Sequence, residues 1–210
     1  MFRLPWAPPL TKAALAAISD PTSAGQPECI PWILYDTQDF VTASTTQLTF
    51  FQTVQTDQTL GNLPSQAQLP DPQHFVLHYV TCDVLAIPSL SAAGTVVGAL
   101  NDIDLIMKGG RPVFTITMSD KNYGPFPLRA CHALGGVTGG VAGTFAATTD
   151  IQFGNNGIPG GGGFPFMGAI VIPPKVSFKL SVQWSATQAI NVSPVKIQIG
   201  LAGVLYRRVL

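Results

Sequence analysis

Apolar and polar positions alternate most regularly near the C-terminus. Over 176–184, Val176, Phe178, Leu180, Val182 and Trp184 fall on one face, with Ser177, Lys179, Ser181 and Gln183 on the other. This period of two predicts a strand with one buried face. The longest β-rich run is HFVLHYVTCDVLAI at 74–87, where Phe75, Leu77 and Tyr79 alternate with Val76, His78 and Val80. Its apolar residues occupy both faces, as in a strand covered on two sides or at an interface. Further strands are expected at 44–53 (STTQLTFFQT), 103–107, 113–118, 168–172 and 195–206, with 32–40 a short extended piece and 125–134 extended. Residues 89–100 suit a short helix, weakened by Gly94 and Gly98. Turn signals stand at Gly61-Asn62, Asp71-Pro72, Lys108-Gly109-Gly110 and Pro173-Pro174.

The result is seven or eight strands, loops of very unequal length and no internal repeat. That pattern predicts an all-β protein, a two-sheet antiparallel sandwich of the single jelly-roll type with long Gly-rich loops. The N-terminus, MFRLPWAPPLTKAALAAISD, carries Pro5, Pro8, Pro9 and Lys12 within its apolar stretch, which disfavours a secretory signal peptide. It reads as an extended arm over 4–10 leading into a short helix over 11–18, followed by a loop-like stretch to about Pro31. The expected organisation is therefore an arm and short helix at 1–43 and a jelly-roll domain at 44–210. Phe2, Leu4, Trp6 and Leu10 have no local core and must pack on something else.

Composition sharpens this picture. Eleven basic residues balance eleven acidic ones, and charged residues make up 10% of the 210, against roughly 25% in an ordinary domain. A compact monomer of this mass exposes about 9,400 Å², or one charge per roughly 430 Å². Such a surface favours association. No basic excess supports tight electrostatic binding of nucleic acid. No uninterrupted apolar stretch is long enough for a membrane-spanning helix.

Candidate chemistry is sparse. PGGGG at 159–163 lacks a following Lys-Ser or Lys-Thr, and GGVTGGVAG at 135–143 lacks the dinucleotide-binding register. His74 and His78, four apart on a strand, would stand about 13 Å apart, too far to share a metal ion. Asp36 with Asp39, and Asp102 with Asp104, resemble calcium or glycosidase pairs only weakly and read better as solvated strand-end residues. Cys29, Cys82 and Cys131 form neither a metal pattern nor a disulfide framework. Trp32, Tyr35, Phe50, Phe51 and Trp184 could form a sugar-binding platform, although core packing is the commoner fate of strand aromatics. No catalytic residue, metal or cofactor is expected.

Two C-terminal segments carry a resemblance. FMGAIVIPPKVSFKLSVQW (166–184) and VKIQIGLAGVLYRRVL (195–210) are similar to the closing strands of jelly-roll capsid proteins of tailless bacterial viruses. LTFFQT and QLPDPQHFVLHYV (68–80) fit the early strands in the same way. The resemblance implies a structural, non-enzymatic subunit that self-assembles into an icosahedral shell within a virion. Its partners would be copies of itself, other capsid proteins and an internal viral membrane, with no strong direct contact to nucleic acid. The expected subunit-interface residues are Phe2, Leu4, Trp6, Leu10, Val137, Val141, Phe145, Arg207 and Arg208. The alternative is a carbohydrate-binding β-sandwich module on a phage fibre or bacterial surface.

Overall fold

The computed structural model describes residues 26–85, 102–103, 105–131, 137–142, 150–155, 164–190 and 193–209. Its strands are β1 (Gln26–Phe40), β2 (Gln47–Phe50), β3 (His74–Leu85), β4 (Val113–Met118), β5 (Lys121–Pro127), β6 (Val137–Ala142), β7 (Asp150–Asn155), β8 (Phe164–Ile172), β9 (Phe178–Gln183) and β10 (Val195–Val209). Eight of them form two four-stranded sheets, ordered β1-β10-β3-β8 and β2-β9-β4-β5, while β6 and β7 pair with each other.

The antiparallel pairing is nested. β1 pairs with β10, β2 with β9, β3 with β8 and β4 with β5. Successive pairs fall alternately in one sheet and the other, as when a long double ribbon is rolled up. The cross-pairs β10·β3 and β4·β9 then lock the roll. This is the jelly-roll arrangement anticipated from the strand count and unequal loops.

The inward faces are apolar. Phe178, Leu180 and Val182 of β9 lie against Val195, Ile197, Ile199 and Leu201 of β10 and Phe75, Leu77, Val80 and Cys82 of β3 in one continuous core. Complete burial of each such side chain contributes roughly 1.5–3 kcal/mol. The two open sides of the sandwich are closed differently. Between β5 and β8, Phe126 stacks on Phe164 with centroids 4.8 Å apart, and Phe114 and Phe166 meet this pair edge-on or tilted. Between β1 and the end of β2, a buried carboxylate does the work: Asp36 accepts the Phe51 amide at 2.6 Å.

Three expectations change. Residues 26–31, expected as loop within an arm ending at 43, belong to β1, which pairs along its whole length with β10. The sandwich therefore begins by Gln26. Prolines 27 and 31 disguise the strand, but they are tolerated because β1 is an edge. Residues 102–103 and 105–108 are helical, not a strand. Ile103, Ile106 and Met107 are buried at helical spacing, and an apolar run this short fits either period. Trp184 secures this helix through its Nε1–H, which donates to the Ile106 carbonyl at 2.8 Å, and packs edge-on against Phe40 at 5.0 Å. Of the stretch 125–134 expected to be extended, 125–127 belong to β5 and Leu128–Ala130 form a 3-10 turn, while 132–134 lie outside the described residues.

The edges of the two four-stranded sheets are blunted. β1 carries Pro27 and Pro31, β8 carries Pro165, and β5 carries Pro125 and Pro127; β2 is only four residues long. Proline offers no ladder donor, and a short strand offers little to pair with.

Candidate functional site

The main irregularity in the sheet lies at His78. Ala202 and Gly203 are consecutive in β10, yet their partners in β3 are Tyr79 and Leu77, so His78 is an extra residue. The pairing of β3 with β8 also breaks there, passing from Leu77↔Ile170 to Tyr79↔Pro165. A bulge reverses the facing pattern. Before it, Phe75 and Leu77 enter the core; after it, Val80, Cys82 and Val84 do. His78 and Tyr79 are left together on the outward side.

Beside the bulge is a groove of about 550 Å³, lined by Pro31, Trp32 and Ile33 of β1, Asn62, His78 and Tyr79 of β3, and Ala202, Gly203 and Val204 of β10. The groove exists because the outward positions of β10 are small. It contains few free polar groups. Asn62 spends its side chain on the edge of β1, accepting from the Tyr35 amide at 2.8 Å and donating to the Ile33 carbonyl at 2.7 Å. His78 is 8% exposed, and its Nε2 is buried without a hydrogen-bond partner. Burial lowers its pKa from 6.5, so the ring is neutral near pH 7. Trp32 and Ile33 are 38% and 37% exposed.

The other polar centre is structural. Asp36 is 1% exposed and collects donors from the Thr37 and Phe51 amides and from the Gln38 and Gln55 side chains, at 2.6–3.2 Å. Asp39 instead pairs with Lys196 at 2.9 Å on the surface. Asp36 is therefore not the solvated strand-end residue the sequence suggested, and the two carboxylates do not form a pair. Asp102 is also buried, on the short helix and not on a strand.

Other candidates disperse. His74 is buried, with its Nδ1 3.0 Å from the Pro72 carbonyl. No group of three or more potential metal ligands gathers among the described residues. The three cysteines are unpaired, and burial pushes the Cys131 thiol up to about 12 and the Cys82 thiol well above its ordinary value, so neither is nucleophilic near neutrality. Of the five aromatics considered for a sugar platform, Phe50, Phe51 and Trp184 are core residues. Tyr35 donates its hydroxyl to the Gln58 carbonyl, and Trp32 alone lines the groove.

Arg207 meets a carboxylate of its own chain, Glu28, at 2.7 Å across the β1–β10 ladder. Arg208 is half-buried. Val137 and Val141 lie four apart on β6, opposite Asn155 and Ile151 of β7. Phe2, Leu4, Trp6, Leu10 and Phe145, together with the helices expected over 11–18 and 89–100, lie outside the described residues. Nothing in the local sequence flagged the groove. The bulge did leave a trace, because apolar parity in 75–84 switches from odd to even.

Comparison with protein-family models, curated proteins and solved structures returns no match.

Proposed function

We propose that the chain is a structural subunit of a viral shell, acting by self-association and not by catalysis. The observation that carries this reading is a rolled, nested sandwich with very few charges: 22 ionisable Asp, Glu, Lys and Arg among 210 residues. Six of them are consumed pairwise in the Lys175–Asp71, Lys196–Asp39 and Arg207–Glu28 bridges, and Asp36 and Asp102 are buried. The segments that resemble capsid proteins fall on β2, β3, β8, β9 and β10, the framework of the roll. The outward side of the first sheet presents Ile33, Tyr79, Ala202 and Val204 where a solitary protein would place charge.

In this reading many modest interfaces, each near 800 Å² per partner, sum to a closed shell. The 130–174 segment supplies intersubunit or membrane-proximal contacts, with Val137, Val141 and Phe145 in it. Assembly proceeds through faces and loops, since the blunted edges disfavour strand addition. Sedimentation and negative-stain microscopy of the purified chain test this. Closed particles or pentamer-like species are expected. A monomer that persists at high concentration refutes the reading. Val141→Asp should reduce assembly while leaving the circular dichroism spectrum and thermal midpoint unchanged; normal assembly by this variant removes the 130–174 segment from the interface.

A further inference from the structure

We propose that the bulge is an acid-operated latch: proton uptake by His78 frees the N-terminal end of β8 from β3 while the rest of the sandwich stays folded. The inference does not depend on shell formation.

Two observations carry it. First, the closed structure has no place for a second ring proton. Both nitrogens of an imidazolium are donors, and His78 Nε2 is buried without a partner. A proton there would be a charged donor with nothing to accept it, a costlier state than an unpaired neutral nitrogen. Among the described residues, the neighbouring parts of β1 and β10 and the loop at Asn62 bring no ionisable side chain to the groove. The residues of β8 that flank the break, Phe164, Pro165 and Ile170, bring none either. Tyr79 is the one titratable neighbour, with its ring centroid 6.4 Å from the imidazole. His74 and Asp83 lie four and five residues away on β3, roughly 13 Å or more at ordinary strand rise. No carboxylate therefore stands ready to compensate the imidazolium.

Second, β8 is weakly secured at this point. It is a border strand and pairs with β3 alone, whereas β10 is held on both flanks. Its pairing comes in two short runs, 75–77 against 170–172 and 79–80 against 164–165, with His78 in the gap between them. Pro165 offers no amide to the second run. Local opening costs least where ladder bonds are few. The group that cannot be charged in the closed state thus sits at the joint with the fewest bonds to break.

The sign follows from burial. The released ring titrates near 6.5 and the closed one below that value. The closed form is fully favoured above 6.5 and loses ground as pH falls. The opening constant rises by up to about tenfold between pH 7.5 and pH 5.5.

The cysteines read the event. The Phe164 amide is directed at the Cys131 sulfur, and Cys131 is buried, so lifting this end of β8 uncovers its thiol. Cys82 is buried on β3 beyond the last β8 pair and stays covered unless the sandwich itself opens. Cys29 is exposed throughout and serves as internal standard. The test is labelling of the full chain with dithiodipyridine, which reacts with thiols in mild acid, and location of the modified cysteines by peptide mass mapping. Relative to Cys29, labelling of Cys131 should accelerate by up to about tenfold from pH 7.5 to pH 5.5, with Cys82 protected. His78→Leu should abolish the acceleration. So should His78→Gln, a polar replacement that takes up no proton and serves if leucine disturbs folding. A Cys131 rate that does not change with pH overturns the proposal, as does an acceleration that persists in the folded variants. Equal acceleration of Cys82 and Cys131 reports global unfolding and overturns the local latch.

Discussion

A single added methyl group at Gly203 tests the geometry of the bulge. A Cβ there would stand 2.0 Å from the Val76 carbonyl oxygen, 2.9 Å from its carbon and 3.1 Å from Phe75 Cζ. The obstacle is backbone of the neighbouring strand, held in a ladder, and β10 is confined between β1 and β3. Overpacking of this kind costs about 1–3 kcal/mol, and no rotamer change relieves it. Separating the strands also weakens ladder bonds worth about 0.5–1.5 kcal/mol each. Alanine returns about 0.4–1 kcal/mol by restricting the unfolded chain. The net loss for Gly203→Ala is about 3 kcal/mol, a fall in Tm of about 6–12 °C for a domain of this size. Gly200→Ala is the internal control. It lies on the same strand, but its Cβ would meet the Thr81 hydroxyl at 2.4 Å, a group that can rotate away. Its expected loss is about 1 kcal/mol, or about 2–4 °C. Differential scanning calorimetry and urea unfolding measure both. If Gly203→Ala is no less stable than Gly200→Ala, the register assigned to the bulge is wrong.

Other consequences are also measurable. Asp36→Asn replaces two acceptor oxygens with one and sets an amide N–H₂ against the remaining donors; urea titration should show a loss of about 2–4 kcal/mol. Trp184→Phe preserves most of the core contact but leaves the Ile106 carbonyl unbonded, lowering stability by about 1–3 kcal/mol, read by the same titration. The lowered His78 pKa means that the unfolded chain takes up a proton below 6.5 before the folded one does. Stability should therefore be complete above that value and decline as pH falls through the interval down to the folded pKa. Asp83, raised from 3.8 by burial, acts with the opposite sign, losing stability as pH rises through the interval between 3.8 and its folded value. Urea midpoints between about pH 5 and pH 7.5 should flatten in His78→Leu; an unchanged slope would remove His78 as the cause.

Local alternation made β9 and β4 legible, because their buried and exposed positions obey a strict period of two. β1 was only partly legible: 32–40 read as extended, but Pro27 and Pro31 make 26–31 mimic a loop. The segment 103–107 was misread because five apolar-rich residues satisfy two periods at once. Asp36 illustrates a deeper limit. Its donors come from Thr37, Gln38, Phe51 and Gln55, and no spacing in the chain announces that Phe51 returns to it. The groove is equally non-local, since it draws on three strands whose adjacency follows from the rolled topology. His78 stood in plain view as a strand histidine, but its isolation becomes apparent only when its neighbours are known.

The prolines along the rims have a consequence for a protein poor in charge. Repulsion between molecules is weak here, so crowding brings copies into contact easily. In many β proteins that situation seeds fibrils, as one border strand recruits another without limit. The borders of the two four-stranded sheets template such growth poorly, and close approach is diverted into contacts that saturate. The chain can therefore tolerate its own company at densities that would gel a comparable sandwich with open rims.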